Sequence, residues 1–271
     1  MDFKTIVVPV SHDADANAVP VAAALAMRHG ARVIGLFAAP PPSIPPYVEV
    51  QLGAEVMAAQ RRAFAERGEA LRVQFQNALA GSPVPWDWRQ IQGDPMDAVL
   101  ALGRLADLTV MAREGEDAPA PGWGADGAGR LALALGRPVL AVPHGGRFSG
   151  VGARVLIGWD ASRAAARAVA DAMPILTRAQ TVTAVCAGPD GGGGCDALAV
   201  HLRSHGVAAE VRHAPSPDLT PGDILLDRAA DMAADLIVMG AYGHARWSEV
   251  LLGGATRHVL THMTVPVFLS H

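Results

Sequence analysis

Two rhythms alternate along this chain. Short apolar runs with little internal alternation are separated by longer stretches whose apolar residues recur at helical spacing. In the second half the pattern predicts strands at 153–159, 180–187, 207–213, 235–240 and 265–270. Helices are expected between them at 162–178, 194–205, 221–233 and 254–263. Strands that read as continuous apolar runs, each followed by a helix, belong to a parallel sheet covered on both faces. Right-handed crossovers then give a doubly wound α/β sandwich. The first half follows the same plan with extra length. Its additions are Pro40-Pro-Pro-Ser-Ile-Pro-Pro46, read as an extended flap, and a helical stretch running to about residue 80.

The plan is written twice. Ala106-Asp107-Leu-Thr-Val-Met111 returns as Ala234-Asp235-Leu-Ile-Val-Met239, and Arg137-Pro138-Val139-Leu-Ala returns as Val265-Pro266-Val267-Phe-Leu. Adding 128 to Met111 gives Met239, and adding 128 to Val139 gives Val267, so one ungapped offset links two strands and everything between them. The starts match as well, Thr5-Ile-Val-Val-Pro-Val10 against Arg154-Val-Leu-Ile-Gly-Trp159. A Gly-rich joint, Pro143-His-Gly-Gly-Arg-Phe-Ser-Gly150, separates them. The expected organisation is two homologous domains, residues 1–146 and 152–271, each a Rossmann-like sandwich. The last strand of each, 137–142 and 265–269, would leave an open sheet edge. The two are expected to lie side by side, antiparallel, making the single chain an intramolecular pseudo-dimer, with a homodimer of whole chains not required.

Composition narrows the function classes. The 271 residues are 51% hydrophobic and 18% charged, enough for a substantial core. A net charge of −4, with Lys4 the only lysine, gives no general attraction to nucleic acid. No apolar run reaches membrane-spanning length, and the first residues read directly as a strand rather than a secretory signal. The expectation is a cytoplasmic protein with no membrane partner. Two cysteines in a chain this long argue against a disulfide framework. Cys186 reads as a small buried hydrophobe and Cys195 as a loop thiol. His258 and His262 lie four apart on a helix but lack partners for a zinc site, so a surface or capping role is expected.

The segment richest in chemistry is Gly240-Ala-Tyr-Gly243-His-Ala-Arg-Trp-Ser-Glu-Val-Leu-Leu-Gly253-Gly254-Ala255-Thr256. Glycines crowd the end of a predicted strand and the start of a predicted helix. Backbone N–H groups are unpaired at a helix N-terminus and the helix dipole favours negative charge there. Residues without side chains let a phosphate approach the backbone. The spacing Gly240, Gly243, Gly253 resembles the nucleotide signature of the universal stress proteins. That family has Ser or Thr after the last of these glycines. Gly254 stands in that place here, and Thr256 supplies the nearest hydroxyl.

Three segments should meet at the C-terminal edge of the second sheet, where such folds bind ligands. They are Gly158-Trp159-Asp160-Ala-Ser162, Cys186-Ala187-Gly188 and the glycine loop. Asp160 has two readings, a cap of the following helix, which Ser162 could also supply, or an acceptor for ribose or base. The resemblance implies the second, since the family places a nucleoside-contacting acidic residue at this position. The main chain near Cys186 would then face the base. His244 and Arg246 are candidate phosphate contacts, arginine through its bidentate fork. Tyr242 and Trp247 are expected to pack against the domain.

The first half does not repeat this cradle. With the same offset, Gly240 falls on Ala112, Gly253 on Ala125, Gly254 on Asp126, Thr256 on Ala128, and Asp160 corresponds to Ser11. Glu114, Glu116, Asp117 and Asp126 crowd the equivalent loop, where carboxylates repel phosphate. No Gly-x-Ser-x-Gly elbow, Walker Gly-Lys-Ser/Thr or Ser–His–Asp set is present. The resemblance therefore implies a stress-response protein that binds ATP or AMP, with or without Mg, in its second domain and does little or no catalysis. A non-nucleotide interaction module and a slow ATP hydrolase are the competing readings. The candidate ligand set is Asp160, Cys186, Gly240, Gly243, His244, Arg246, Gly253, Gly254, Ala255 and Thr256, with no catalytic or metal-binding residue assigned.

Overall fold

The computed structural model describes residues 2–11, 17–40, 46–113, 123–124, 126–148, 150–186, 194–213, 219–243 and 254–271; for 46–54 it describes the backbone only. In the first half the elements are β1 (Thr5–Pro9), α1 (Ala18–His29), β2 (Arg32–Ala39), α2 (Pro46–Ala78), β3 (Trp86–Gln92), α3 (Pro95–Gly103), β4 (Leu108–Ala112), α4 (Gly127–Leu135) and β5 (Val139–Val142). The second half continues with β6 (Arg154–Trp159), α5 (Arg163–Leu176), β7 (Thr181–Cys186), α6 (Cys195–Ser204), β8 (Ala209–His213), α7 (Pro221–Asp231), β9 (Leu236–Gly240), α8 (Gly254–His262) and β10 (Val267–Ser270). All the strands and helices expected in the second half are present, each within two residues of the predicted limits. Pro46, the last residue of the proline run, opens α2 rather than an extended flap. A proline fits the first turn of a helix, where its missing N–H would have no partner. Residues 41–45 lie outside the described residues.

One ten-stranded sheet runs through the molecule in the order β3-β2-β1-β4-β5-β10-β9-β6-β7-β8. Each half contributes five parallel strands with the order reversing between its first and fourth. The halves join through β5 and β10, antiparallel as expected, with Val267 opposite Ala141, Phe268 opposite Leu140 and Leu269 opposite Val139. Pairing closes both exposed edges with backbone hydrogen bonds.

Alternate residues of the strands feed two cores, one on each face. Ile157 and Phe268 point into the first with Phe37 and Phe75, while Leu156 and Leu269 point into the second with Leu131 and Leu225. Both cores run across the seam, so burial stabilises the junction as well as each half. The repeated Ala-Asp pair has a structural reason. The Asp235 carboxylate accepts from the N–H groups of Gly152, Ala153 and Arg154 at 2.8–3.1 Å, and Asp107 accepts from Lys4 and Thr5 at 2.7 and 3.0 Å. Each aspartate immediately precedes the fourth strand of its half and ties down the start of the first.

The two cysteines require a correction. Cys186 and Cys195 are joined as a disulfide, with their Cα atoms 6.4 Å apart. The chain places Cys186 at the end of β7 and Cys195 in the first turn of the helix that follows, so a sequence separation of nine brings them together. His258 Nε2 lies 2.8 Å from Asp223 Oδ1, His262 Nδ1 lies 3.0 Å from the His258 carbonyl, and no metal-binding cluster occurs among the described residues. No helix among the described residues is long and apolar enough to cross a membrane.

Candidate functional site

A cleft of about 710 Å³, part of it open to solvent, lies at the C-terminal edge of the second half's strands. It sits where β6 and β9 lie side by side and the winding reverses, as open α/β sheets dictate. Six of the sequence-predicted residues line it: Asp160, Gly240, Gly243, Gly254, Ala255 and Thr256. Cys186 is fully buried one residue beyond Val185, which does line the cleft. His244, Arg246 and Gly253 lie outside the described residues.

The β6–α5 turn supplies the polar rim. Ser162 is the cap of α5, accepting from the Ala165 N–H at 3.1 Å, and Asp160 Oδ1 accepts from the Ser162 N–H at 3.0 Å. The capping question thus resolves toward Ser162, with Asp160 holding the turn that presents it. Ala161 between them takes φ 57°, and Tyr242 on the facing loop takes φ 54°. Non-glycine residues in the left-handed region carry about 1–2 kcal/mol of strain, here placed on both sides of the cleft.

The three described glycines have different reasons to be glycine. A Cβ on Gly240 would come within 2.5 Å of the Ala165 backbone nitrogen, so Gly240 exists to let α5 pack on β9. A Cβ on Gly243 would meet Ser162 Oγ at 2.6 Å and Asp160 Oδ2 at 3.1 Å, so Gly243 lets the two loops close together. A Cβ on Gly254 would meet nothing within 4 Å among the described residues. Gly254 opens α8, and with Ala255 and Thr256 it turns the first turn of that helix toward the cleft. N–H groups of a first turn have no intrahelical acceptor and sit at the positive end of the dipole.

Thr256 is almost wholly buried, and its Oγ1 accepts from the Tyr242 N–H at 3.1 Å. The hydroxyl therefore fixes the glycine loop onto α8. Tyr242 in turn donates its phenol to Asp126 of the first half. Burial first, and the Asp126 carboxylate second, raise its pKa above the ordinary tyrosine range. Asp126, expected as one member of a phosphate-repelling cluster, is thus tied across the seam; Glu114, Glu116 and Asp117 lie outside the described residues. At the corresponding edge of the first half, the Ser11 carbonyl accepts from Arg67 of α2 at 2.9 Å.

Sequence reasoning did not assign the apolar wall. Trp159, Val185, Leu225 and Met239 line the cleft with Pro221 from the first turn of α7. Trp159 and Val185 were legible as strand ends. Pro221 and Leu225 were not, because α7 reaches the site only through the crossover. The start of α7 is itself well specified: Thr220 and Asp223 form a reciprocal capping box. The Thr220 hydroxyl, ahead of its backbone N–H and His258, holds the Asp223 carboxyl below its usual range.

Comparison with solved structures agrees with this architecture. A universal stress protein from Archaeoglobus fulgidus DSM 4304 superposes with a TM-score of 0.73 at 15% identity, over 98% of this chain and 95% of that one. A functionally unknown protein from Pseudomonas aeruginosa PAO1 superposes with a TM-score of 0.60 at 14% identity, over 99% and 92%. At such identities the likeness concerns the fold alone. No curated protein matches the sequence significantly. The universal stress protein family matches residues 2–143 and 218–271, together well over half of the chain. The chain is therefore a member of the universal stress protein family.

Proposed function

We propose that the second half binds an adenine nucleotide, ATP or AMP, in the cleft between Asp160 and the first turn of α8, and that the first half does not. The observation that carries this reading is the first turn of α8, whose Gly254, Ala255 and Thr256 line the cleft. A helix N-terminus faces a cleft, and the residue leading it is a glycine with no described residue within 4 Å of its Cβ position, which suits a phosphate against the backbone. Trp159, Val185 and Leu225 offer apolar surface for a base, and Asp160 an acceptor for the ribose. His244, Arg246 and Gly253 complete the phosphate contacts in this reading, with Thr256 holding the loop. Mg would enter, if at all, with the phosphates of ATP.

In this assignment residues 1–146 and 152–271 are two universal stress protein units, the first structural or regulatory, and the chain is a cytoplasmic pseudo-dimer with a stress-response role and no vigorous turnover. Isothermal titration with ATP and AMP, with and without Mg, tests the reading. One site per chain is expected. Gly254→Asp is the decisive variant, since its Cβ meets no described residue within 4 Å and an aspartate in the first turn suits the helix dipole. It should fold normally by circular dichroism and lose nucleotide. Unchanged binding by this variant, or two equivalent sites per chain, overturns the assignment.

A further inference from the structure

Cys186 and Cys195 stand beside the cleft wall, and nothing in the nucleotide reading uses their chemistry. Cys186 ends β7, one residue past Val185, and pairs in register with Trp159 across β6. Cys195 occupies the first position of α6, a ten-residue helix whose N-cap is Gly194 at φ 90°. A Cβ on Gly194 would stand 3.9 Å from Trp159 Nε1, so the start of α6 rests against that indole. The Trp159 nitrogen is buried and has no hydrogen-bond partner among the described residues.

Two independent features make this pair more than a staple. The Cα separation of 6.4 Å falls inside the range of about 4.4–6.8 Å that a disulfide accepts, so closing the bond requires no movement of strand or helix. The two sulfurs are also not equivalent. Both cysteines are buried, but Cys195 lies at the positive end of a helix dipole, where an anionic sulfur is favoured over a neutral one, whereas Cys186 ends a strand.

We propose that Cys186 and Cys195 form a reversible redox site, oxidised by a hydroperoxide and reduced by an external dithiol, which reports on the cleft through Trp159. The Cys195 thiolate attacks the distal oxygen of hydrogen peroxide, giving a sulfenic acid and releasing hydroxide. The Cys186 sulfur then displaces hydroxide from the Cys195 sulfur and loses its own proton, closing the disulfide. In sum, two thiols and one peroxide yield one disulfide and two waters. The dithiol reverses the oxidation by two thiol–disulfide exchanges and is itself oxidised to its disulfide. This site goes beyond the nucleotide reading and does not depend on it.

The test uses the full chain, reduced with dithiothreitol, freed of reductant and then given one equivalent of hydrogen peroxide. Thiol titration should fall from two to zero, with the chain losing two hydrogens by mass spectrometry and remaining monomeric in its covalent state. Renewed dithiothreitol should restore both thiols without denaturant. Tryptophan emission should drop on oxidation, and Trp159→Phe should remove most of that change. Cys195→Ser should react with peroxide at least tenfold more slowly than the native chain. Cys186→Ser should instead stop at a sulfenic acid trapped by a cyclic dione. Two thiols left free after peroxide, reduction only in denaturant, or Cys195→Ser reacting at the native rate overturns the proposal. The thiol count on the unmutated chain decides it even if a serine variant misfolds.

Discussion

The phenol of Tyr242 donates to the carboxylate of Asp126, so the loop bordering the cleft of one half is fastened to the N-cap residue of a helix in the other. Tyr242 also holds Thr256 through its backbone and adopts a left-handed φ to do both. The cleft is consequently part of the junction between the halves.

Removing the phenol tests this tie. Tyr242→Phe should destabilise the chain by about 1.5–3 kcal/mol, because it strips a part-buried carboxylate of a hydrogen bond. Asp126→Ala should have a smaller effect when combined with Tyr242→Phe than alone. A double-mutant cycle in urea checks the coupling, and purely additive effects would exclude it.

The glycines should respond differently to a single methyl group. Gly240→Ala forces a Cβ against the α5 backbone and should cost about 1–3 kcal/mol. Gly254→Ala meets no described residue within 4 Å at the start of α8 and should change stability by no more than about 0.5–1 kcal/mol, in the stabilising direction. Equal denaturation midpoints for the two variants would contradict the packing described.

Asp235 should matter to folding although it lies far from the cleft. Asp235→Ala leaves three N–H groups at the start of β6 without their acceptor and should lose about 2–3 kcal/mol. Asp107→Ala, which frees two such groups, should lose less. Thermal unfolding of the two variants gives the comparison.

His29 sets a pH dependence. The residue is 3% exposed, and burial holds its ring below the ordinary value of 6.5 although Asp2 Oδ1 lies 3.2 Å away. As pH falls below about 6.5 the unfolded chain takes up a proton that the folded chain does not, so stability falls with it. Asp2, lowered first by His29 and then by Arg178, keeps its contribution until the pH drops below the carboxylate range. The urea midpoint should therefore decrease between about pH 7 and pH 5. His29→Gln should flatten that decrease, and a native chain with a level profile would refute the assignment.

The seam predicts shared cooperativity. Phe268 is fully buried opposite Leu140, and Phe268→Ala should cost about 3–5 kcal/mol. Because the two cores run through the seam, probes in both halves should lose midpoint together. Fluorescence of Trp88 in the first half and Trp159 in the second, isolated in variants lacking the other tryptophans, makes the measurement.

The sequence by itself determined the elements, the repeat and the chemistry of one loop. Its apolar runs and helical periods fix strand and helix locally, and the offset from Met111 to Met239 and from Val139 to Val267 carries over residue for residue into β4, β9, β5 and β10. Asp160, Gly240, Gly243 and the start of α8 meet at one edge because the doubly wound plan puts strand ends together. What only the tertiary structure decided depends on side chains meeting across long separations. The cysteines were read one at a time, whereas a bond between them depends on where the end of β7 and the start of α6 lie in space. Gly240 is held to glycine by helix packing, because the contact that forbids its Cβ comes from α5, a different part of the chain. Asp126 looks like one charge in a repelling cluster until Tyr242, 116 residues away, is placed against it. Local pattern reports what a residue prefers, and only the fold determines which partner is within reach.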